Sequence, residues 1–225
     1  MLADLERDPV DQVVCLGDLV QGGCQPAAVV ARLGEPAWPI VLGNADAFLL
    51  DPDAGAEIPT ERQLDVRDWT REQLGDDGLA FLETFQPTVE TSLGGGRTLL
   101  AFHGSPTSYD DIVLPHLEEQ EFRRLLGPPA ADVLAGGHVH LQWLRRYGDS
   151  TFVNPGSVGL AYDHAQPGDD DLRVDAFAEY ALVDVDGDRV QIAFRRLPFD
   201  RAAVLRAIDG SGTPHADSQR SAWRA

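Results

Sequence analysis

The chain has 225 residues, 43% hydrophobic and 24% charged, proportions that belong to a folded globular domain and exclude a disordered chain. Eighteen basic residues stand against 37 acidic ones, a formal charge of −19, and such a field repels the phosphate backbone of nucleic acid. Every basic residue is arginine, so a Walker lysine, a Schiff-base lysine and a lysine general base are excluded together.

No apolar run approaches the ~18 residues of a membrane span. The acidic start, Met1 to Pro9, lacks the basic and apolar regions of a signal peptide. Cys15 and Cys24 make no disulfide framework and read as packing residues. A cytoplasmic protein is expected.

Four apolar runs each end at a distinctive polar group. Gln12–Leu16 runs into Gly17-Asp18, and Pro39–Leu42 into Gly43-Asn44-Ala45-Asp46. Thr98–Phe102 runs into His103-Gly104-Ser105-Pro106, and Asp132–Ala135 into Gly136-Gly137-His138-Val139-His140. Runs of this kind read as buried strands, and open α/β sheets bind ligands beyond the carboxyl ends of their strands.

Helices are expected between them. Pro26–Leu33 has a helix-start proline, and Thr60 with Gln63 forms a capping box for a helix to about Leu74. Further helices are expected near 77–85, 117–126 and 201–208. The stretch 45–85 is a helical insertion over one edge of the site. Hairpins are expected at 89–102 around Gly94-Gly95-Gly96, at 141–153, and at 180–194 around Asp186-Gly187. The glycine triplet is not followed by a helix, so it is not a phosphate loop. Asp184–Asp188 lacks the spacing of a calcium loop and reads as a turn. One domain spans 1–208, and 209–225 is a polar, flexible tail.

Singly, Asp18, Asn44 and His103 are ordinary turn or core residues. His138 and His140, at i and i+2 on an extended segment, fall on one side and suit a metal pair or bridge. Strand order gathers all five at one edge. A carboxylate, an amide oxygen and three imidazoles without thiolate suit Mn, Fe, Zn, Co or Ni. Between two such ions a shared carboxylate bridges, and a trapped water loses its proton to attack phosphorus in line.

Together, Gly17-Asp18, Gly43-Asn44, His103-Gly104 and Gly137-His138-Val139-His140 resemble the calcineurin-like metallophosphoesterases. Asn44-Ala45-Asp46, His103-Gly104-Ser105-Pro106 and Asn154-Pro155-Gly156-Ser157-Val158-Gly159 resemble their small bacterial and archaeal phosphodiesterase branch, over roughly residues 3 to 205. The resemblance implies an α/β fold, two mixed β-sheets packed as a sandwich flanked by helices. It also implies two divalent transition-metal ions and a metal-bridging hydroxide that hydrolyses a phosphodiester or phosphomonoester.

Carried over by position, Asp18 matches the bridging carboxylate. Asn44, His103 and His138 match the other ligands of the second metal, and His140 a ligand of the first. Asn44 also orients the phosphate, which makes it the expected catalytic residue. Relatives that act on phosphoproteins have histidine where this chain has Ala45, so leaving-group protonation falls to solvent or to Asp46. Asp46 reads equally as a helix N-cap. Ser157 has no base tied to it and is not a nucleophile. His116, His164, His215 and Asp169-Asp170-Asp171 read as solvated surface groups.

The family pattern opens with a strand ending Asp-x-His, two ligands of the first metal, and Leu2–Glu6 instead resembles the end of the helix that follows it. The expectation is a start placed about 20 residues inside the family's first elements. The alternative is a genuine short form whose first metal site is incomplete, so that one ion binds. Two functions compete. One is a hydrolase acting on a small phosphate ester, with no nucleic-acid or membrane partner. The other is a catalytically impaired protein of this fold that serves as a protein-binding scaffold.

Overall fold

The apolar runs at 97–102, 133–136 and 150–155 form the parallel centre of a five-stranded mixed sheet. Its strands are β1 (Thr88–Gly94), β2 (Arg97–Phe102), β3 (Val133–Gly136), β4 (Gln142–Tyr147) and β5 (Ser150–Pro155), in the order β1-β2-β3-β5-β4. β1 and β4 close its edges antiparallel. The computed structural model describes residues 1–55, 58–162, 173–187 and 189–223. His164, the Asp169–Asp171 run and Asp188 lie outside the described residues.

Strand side chains alternate between two cores, as the period of two demands. Leu99, Ala101, Val133, Ala135 and Val153 face one side and pack against Ala181, Val183, Ile192 and Phe194. Those residues belong to the antiparallel pair β8 (Phe177–Asp186) and β9 (Arg189–Pro198). Phe102, Leu134 and Phe152 face the other side and meet Phe122, Leu125 and Leu126 of α5 (Glu119–Leu126).

The α/β class and the two-layer packing are as expected, and among the described residues the second layer holds one antiparallel ladder with single parallel bridges beside it. Gln12–Leu16 and Pro39–Leu42 form no ladder strands: Cys15 bridges Ile40 in parallel, and Val41 bridges Gln86. The cause is local. Pro39 lacks the N–H that would extend the pairing backward, and Gly17 turns away with φ +89° two residues beyond Cys15.

α1 (Leu2–Leu5) lies at the front of the chain, and Asp4 accepts from the Tyr180 hydroxyl on β8. α2 (Pro26–Gly34), α3 (Asn44–Leu50) and α4 (Glu61–Leu82) share a core with Ile40 and Phe85. Thr60 and Gln63 form the capping box, and α4 breaks at Gly75, φ 60° and ψ −173°, between the two helices that the sequence predicts. The buried Arg67 guanidinium donates to the carbonyls of Phe48 (2.6 Å) and Leu49 (3.4 Å), satisfying the open end of α3.

The tail read as flexible is instead packed. α6 (Arg201–Ser211) continues past 208, and α7 (Ala216–Ala222) follows. Trp223 is buried against Ile208 and Val174, its ring 5.7 Å from that of Phe199. The tail's few apolar residues are spaced to meet Phe199, a contact that composition alone does not reveal. Val174 lies in β7 (Val174–Asp175), which pairs with β6 (Ala161–Tyr162).

Candidate metal centre

β2 and β3 run parallel with Phe102 opposite Gly136, so the residues after them, His103 and Gly137-His138, emerge side by side. The Gly137 N–H donates to the His103 carbonyl at 2.7 Å and continues the pairing beyond the strand ends. Asp18 and Asn44 arrive from the bridged segments. Glycine is required where those loops touch: a Cβ on Gly43 would lie 2.1 Å from Asp18 Oδ1, and one on Gly17 would lie 2.6 Å from the Gly43 nitrogen.

Asp18, His103 and His138 present ligand atoms that all lie within 4.8 Å of one another. His103 Nε2 is 3.1 Å from Asp18 Oδ2 and 3.0 Å from Asn44 Oδ1. His138 Nδ1 is 2.9 Å from Asn44 Oδ1 and 3.3 Å from His103 Nε2. His140 stands outside this tight group, near enough that the Asp18 charge acts on it. His138 and His140 do not lie on an extended segment. Their φ values are +64° and +54°, and the Val139 N–H closes a three-residue turn onto the Gly137 carbonyl at 2.8 Å.

Asp18 has φ +56° as well, so three of the five described non-glycine residues with positive φ are candidate ligands. Such conformations cost on the order of 1–3 kcal/mol each and persist only where the surroundings impose them. Here the surroundings are specific. Asp46, fully buried at the third position of α3, accepts N–H bonds from Asp18 (2.7 Å), Leu19 (3.0 Å) and Gly43 (3.1 Å). The Ala45 N–H donates to Asp18 Oδ1 at 2.9 Å. Asn154, 1% exposed, donates its amide to the Gly137 carbonyl at 2.5 Å.

Asp46 is therefore neither the side-chain N-cap nor an acid facing the cleft, the two roles weighed from sequence. It binds the turn before α3 to the turn after Leu16. Its spacing three residues after Gly43 is the signal that could have found this. Nothing in the sequence ties Asn154 to Gly137.

Burial favours the neutral form of Asp18, but the hydrogen bond and charge of His103 outweigh it and hold the carboxyl below its usual range. Burial likewise works against charge on His103, and the same partner wins in the other direction, raising it. His138 is held low by burial and by the His103 charge, and His140 chiefly by burial. Burial and the Asp18 carboxylate push Asp46 up to about 7 against its three N–H donors.

The cluster has a donor problem that a cation solves. The Leu16 carbonyl, 2.5 Å from His103 Nδ1, can only accept, so that nitrogen carries the proton. Neutral His103 then turns an Nε2 lone pair toward Asp18 Oδ2 and Asn44 Oδ1, which are acceptors too. Either an extra proton or a positive ion must sit among them. One carboxylate, one amide oxygen and two imidazoles fit a divalent transition-metal ion, and the backbone-held imidazole is the usual support of a metal ligand.

The two other described histidines are peripheral. His116 is exposed, and His215 pairs with Asp65 at 2.8 Å on the surface. Ser157 accepts from the Leu160 N–H at 3.0 Å and serves the backbone. Among the described residues no helix is long and apolar enough to cross a membrane.

The family model for the calcineurin-like phosphoesterase superfamily domain matches residues 1–190. The hypothetical protein PH1004 of Pyrococcus horikoshii is similar in structure, with TM-score 0.77 and 20% identity, covering 99% of this chain and 89% of that one. A metallophosphoesterase from Sphaerobacter thermophilus follows with TM-score 0.69, 22% identity, and coverage of 98% and 92%. These likenesses show a shared fold. Uncharacterized protein MJ0912 of Methanocaldococcus jannaschii is 20% identical over 165 residues, which is 72% of this chain but only 65% of that relative's length.

Proposed function

We propose that this chain, which belongs to the calcineurin-like phosphoesterase superfamily, is a metal-dependent hydrolase of a small phosphodiester or phosphomonoester. The observation that carries the reading is the convergence of ligand atoms of Asp18, Asn44, His103 and His138 on one point. Those four would hold one divalent ion of Mn, Fe, Zn, Co or Ni. Asp18 and His140 would share another, the first metal of the family pattern. When bound, such ions supply an activated water and neutralise charge growing on the phosphoryl oxygens.

The chain's own groups do the positioning. Asp18 is aimed by the Ala45 N–H and by Asp46 behind it. The Leu16 carbonyl fixes the His103 tautomer, so Nε2 faces the cleft. Asn44 turns Oδ1 toward the two imidazoles, and its amide nitrogen remains as a donor for a phosphoryl oxygen. Ala45 offers no proton and Asp46 is sealed away, so the leaving group takes its proton from solvent. A cytoplasmic location without nucleic-acid or membrane partners is part of the proposal, supported by the net charge of −19, which repels a phosphate backbone.

The test is hydrolysis of p-nitrophenyl phosphate and bis-p-nitrophenyl phosphate by metal-loaded wild type and His138→Ala. Loss of a direct ligand should lower kcat/KM by more than about 100-fold with an unchanged circular dichroism spectrum. A wild type that binds none of the five ions and hydrolyses neither ester would overturn the enzyme reading and leave the scaffold.

A further inference from the structure

One aromatic ring stands against the candidate ligand outside the tight group. The Tyr162 ring lies flat on the His140 imidazole, with centroids 4.5 Å apart and planes 19° from parallel. The edge of the same imidazole is held two residues earlier, where His140 Nδ1 lies 2.7 Å from the Leu160 carbonyl. A carbonyl only accepts, so Nδ1 carries the proton and Nε2 keeps the lone pair a metal needs. The stretch Leu160–Tyr162 thus controls the ring's face and its tautomer together.

That stretch is itself fixed from three sides. Ser157 Oγ accepts from the Leu160 N–H at 3.0 Å. Ala161 and Tyr162 pair antiparallel with Asp175 and Val174. Leu160 and Tyr162 pack in the cluster of Val174, Ile208 and Trp223. The C-terminal helices therefore reach the candidate centre through this strand. His140 has φ +54°, an uncommon backbone for a non-glycine residue, so its ring direction depends on such outside supports.

We propose that Tyr162 is a positioning residue for the metal centre, its ring clamping His140 so that Nε2 is presented to the ion that His140 would share with Asp18. This rests on the reading of His140 as a ligand given above. The ring face is what acts, so Tyr162→Phe should preserve the function and Tyr162→Leu, similar in apolar bulk without a flat face, should not.

Two measurements decide it. In metal-free protein, long-range ¹H–¹⁵N spectra should show His140 as the Nδ1–H tautomer in wild type and Tyr162→Phe, and as a mixture of tautomers in Tyr162→Leu. In calorimetric titration with Mn²⁺, the weaker binding step should fall about 10-fold in Tyr162→Leu and stay within about 2-fold in Tyr162→Phe, the stronger step being unchanged in both. Tyr162→Met replaces the leucine variant if that fails to fold. A leucine or methionine variant with the wild-type tautomer and wild-type weaker step overturns the proposal, and so does a phenylalanine variant as impaired as leucine. A wild type that takes up no second ion would overturn the two-ion reading, while the tautomer comparison would still decide the role of Tyr162.

Discussion

Replacing Asp46 by asparagine sets two effects of opposite sign against each other, and pH separates them. Oδ2 of Asp46 accepts from Asp18 and Gly43, and Oδ1 from Leu19. Asparagine can keep the first two but turns an amide N–H₂ toward the Leu19 N–H. One buried donor left unpaired costs about 1–3 kcal/mol, and that is the expected loss at pH 5. The carboxyl is pushed from 3.8 to about 7 by burial and by Asp18, so the folded state holds a proton that the unfolded chain has released. The contribution of Asp46 to wild-type stability then falls as pH rises from about 4 to 7, whereas asparagine does not titrate.

Over pH 5 to 8 the swing is about two pKa units, or about 3 kcal/mol. The metal-free variant should therefore match or exceed wild type by pH 8. Mn²⁺ at Asp18 removes the repulsion and should restore the wild-type advantage at that pH. Urea unfolding at pH 5, 6.5 and 8, with and without Mn²⁺, reads all of this. A difference between the metal-free proteins that stays constant across that range would refute the reasoning. A variant that loses turnover with no change in stability or ion affinity would restore Asp46 as the proton donor.

Gly43→Ala forces a methyl group to 2.1 Å from Asp18 Oδ1 and 2.5 Å from the Asp18 nitrogen. It should cost about 1–3 kcal/mol in thermal or urea unfolding and weaken Mn²⁺ binding in calorimetry. Trp223→Ala empties a buried site and should cost about 3–5 kcal/mol. A change below about 1 kcal/mol by chemical unfolding would mean that α7 does not pack as described. Asn154→Ala leaves the Gly137 carbonyl without its 2.5 Å donor. It should lower stability by about 1–3 kcal/mol and shift the His138 ring resonances in NMR spectra.

The centre of the fold was legible because it depends on local chemistry. The hairpin at 88–102, the capping box at Thr60 and the break at Gly75 are each set by residues a few positions apart. Candidate ligands were legible because four of the five stand directly after a glycine or an apolar run, and His140 pairs with His138 two residues earlier. What escaped involves distant partners. The pairing of Cys15 with Ile40 is cut short by Pro39 and Gly17, and the packing of Trp223 on Phe199 spans 24 residues of sequence. The left-handed backbone at His138 and His140 was also missed, because an i, i+2 pair satisfies an extended reading equally well.

The single bridges at Cys15 and Val41 divide the candidate centre into unequal halves. His103 and His138 are rooted in the continuous ladder of β2 and β3, whereas Asp18 and Asn44 follow segments joined by only two backbone bonds at each bridge. Local opening free energies differ in the same sense, lowest where few ladder bonds hold. An ion clasped by all four residues would rivet the weaker half to the stronger, adding its binding free energy to every opening that separates them. Hydrogen exchange at Cys15, Val41 and Leu42 should then slow with Mn²⁺ concentration while Leu100 and Leu134 hardly respond.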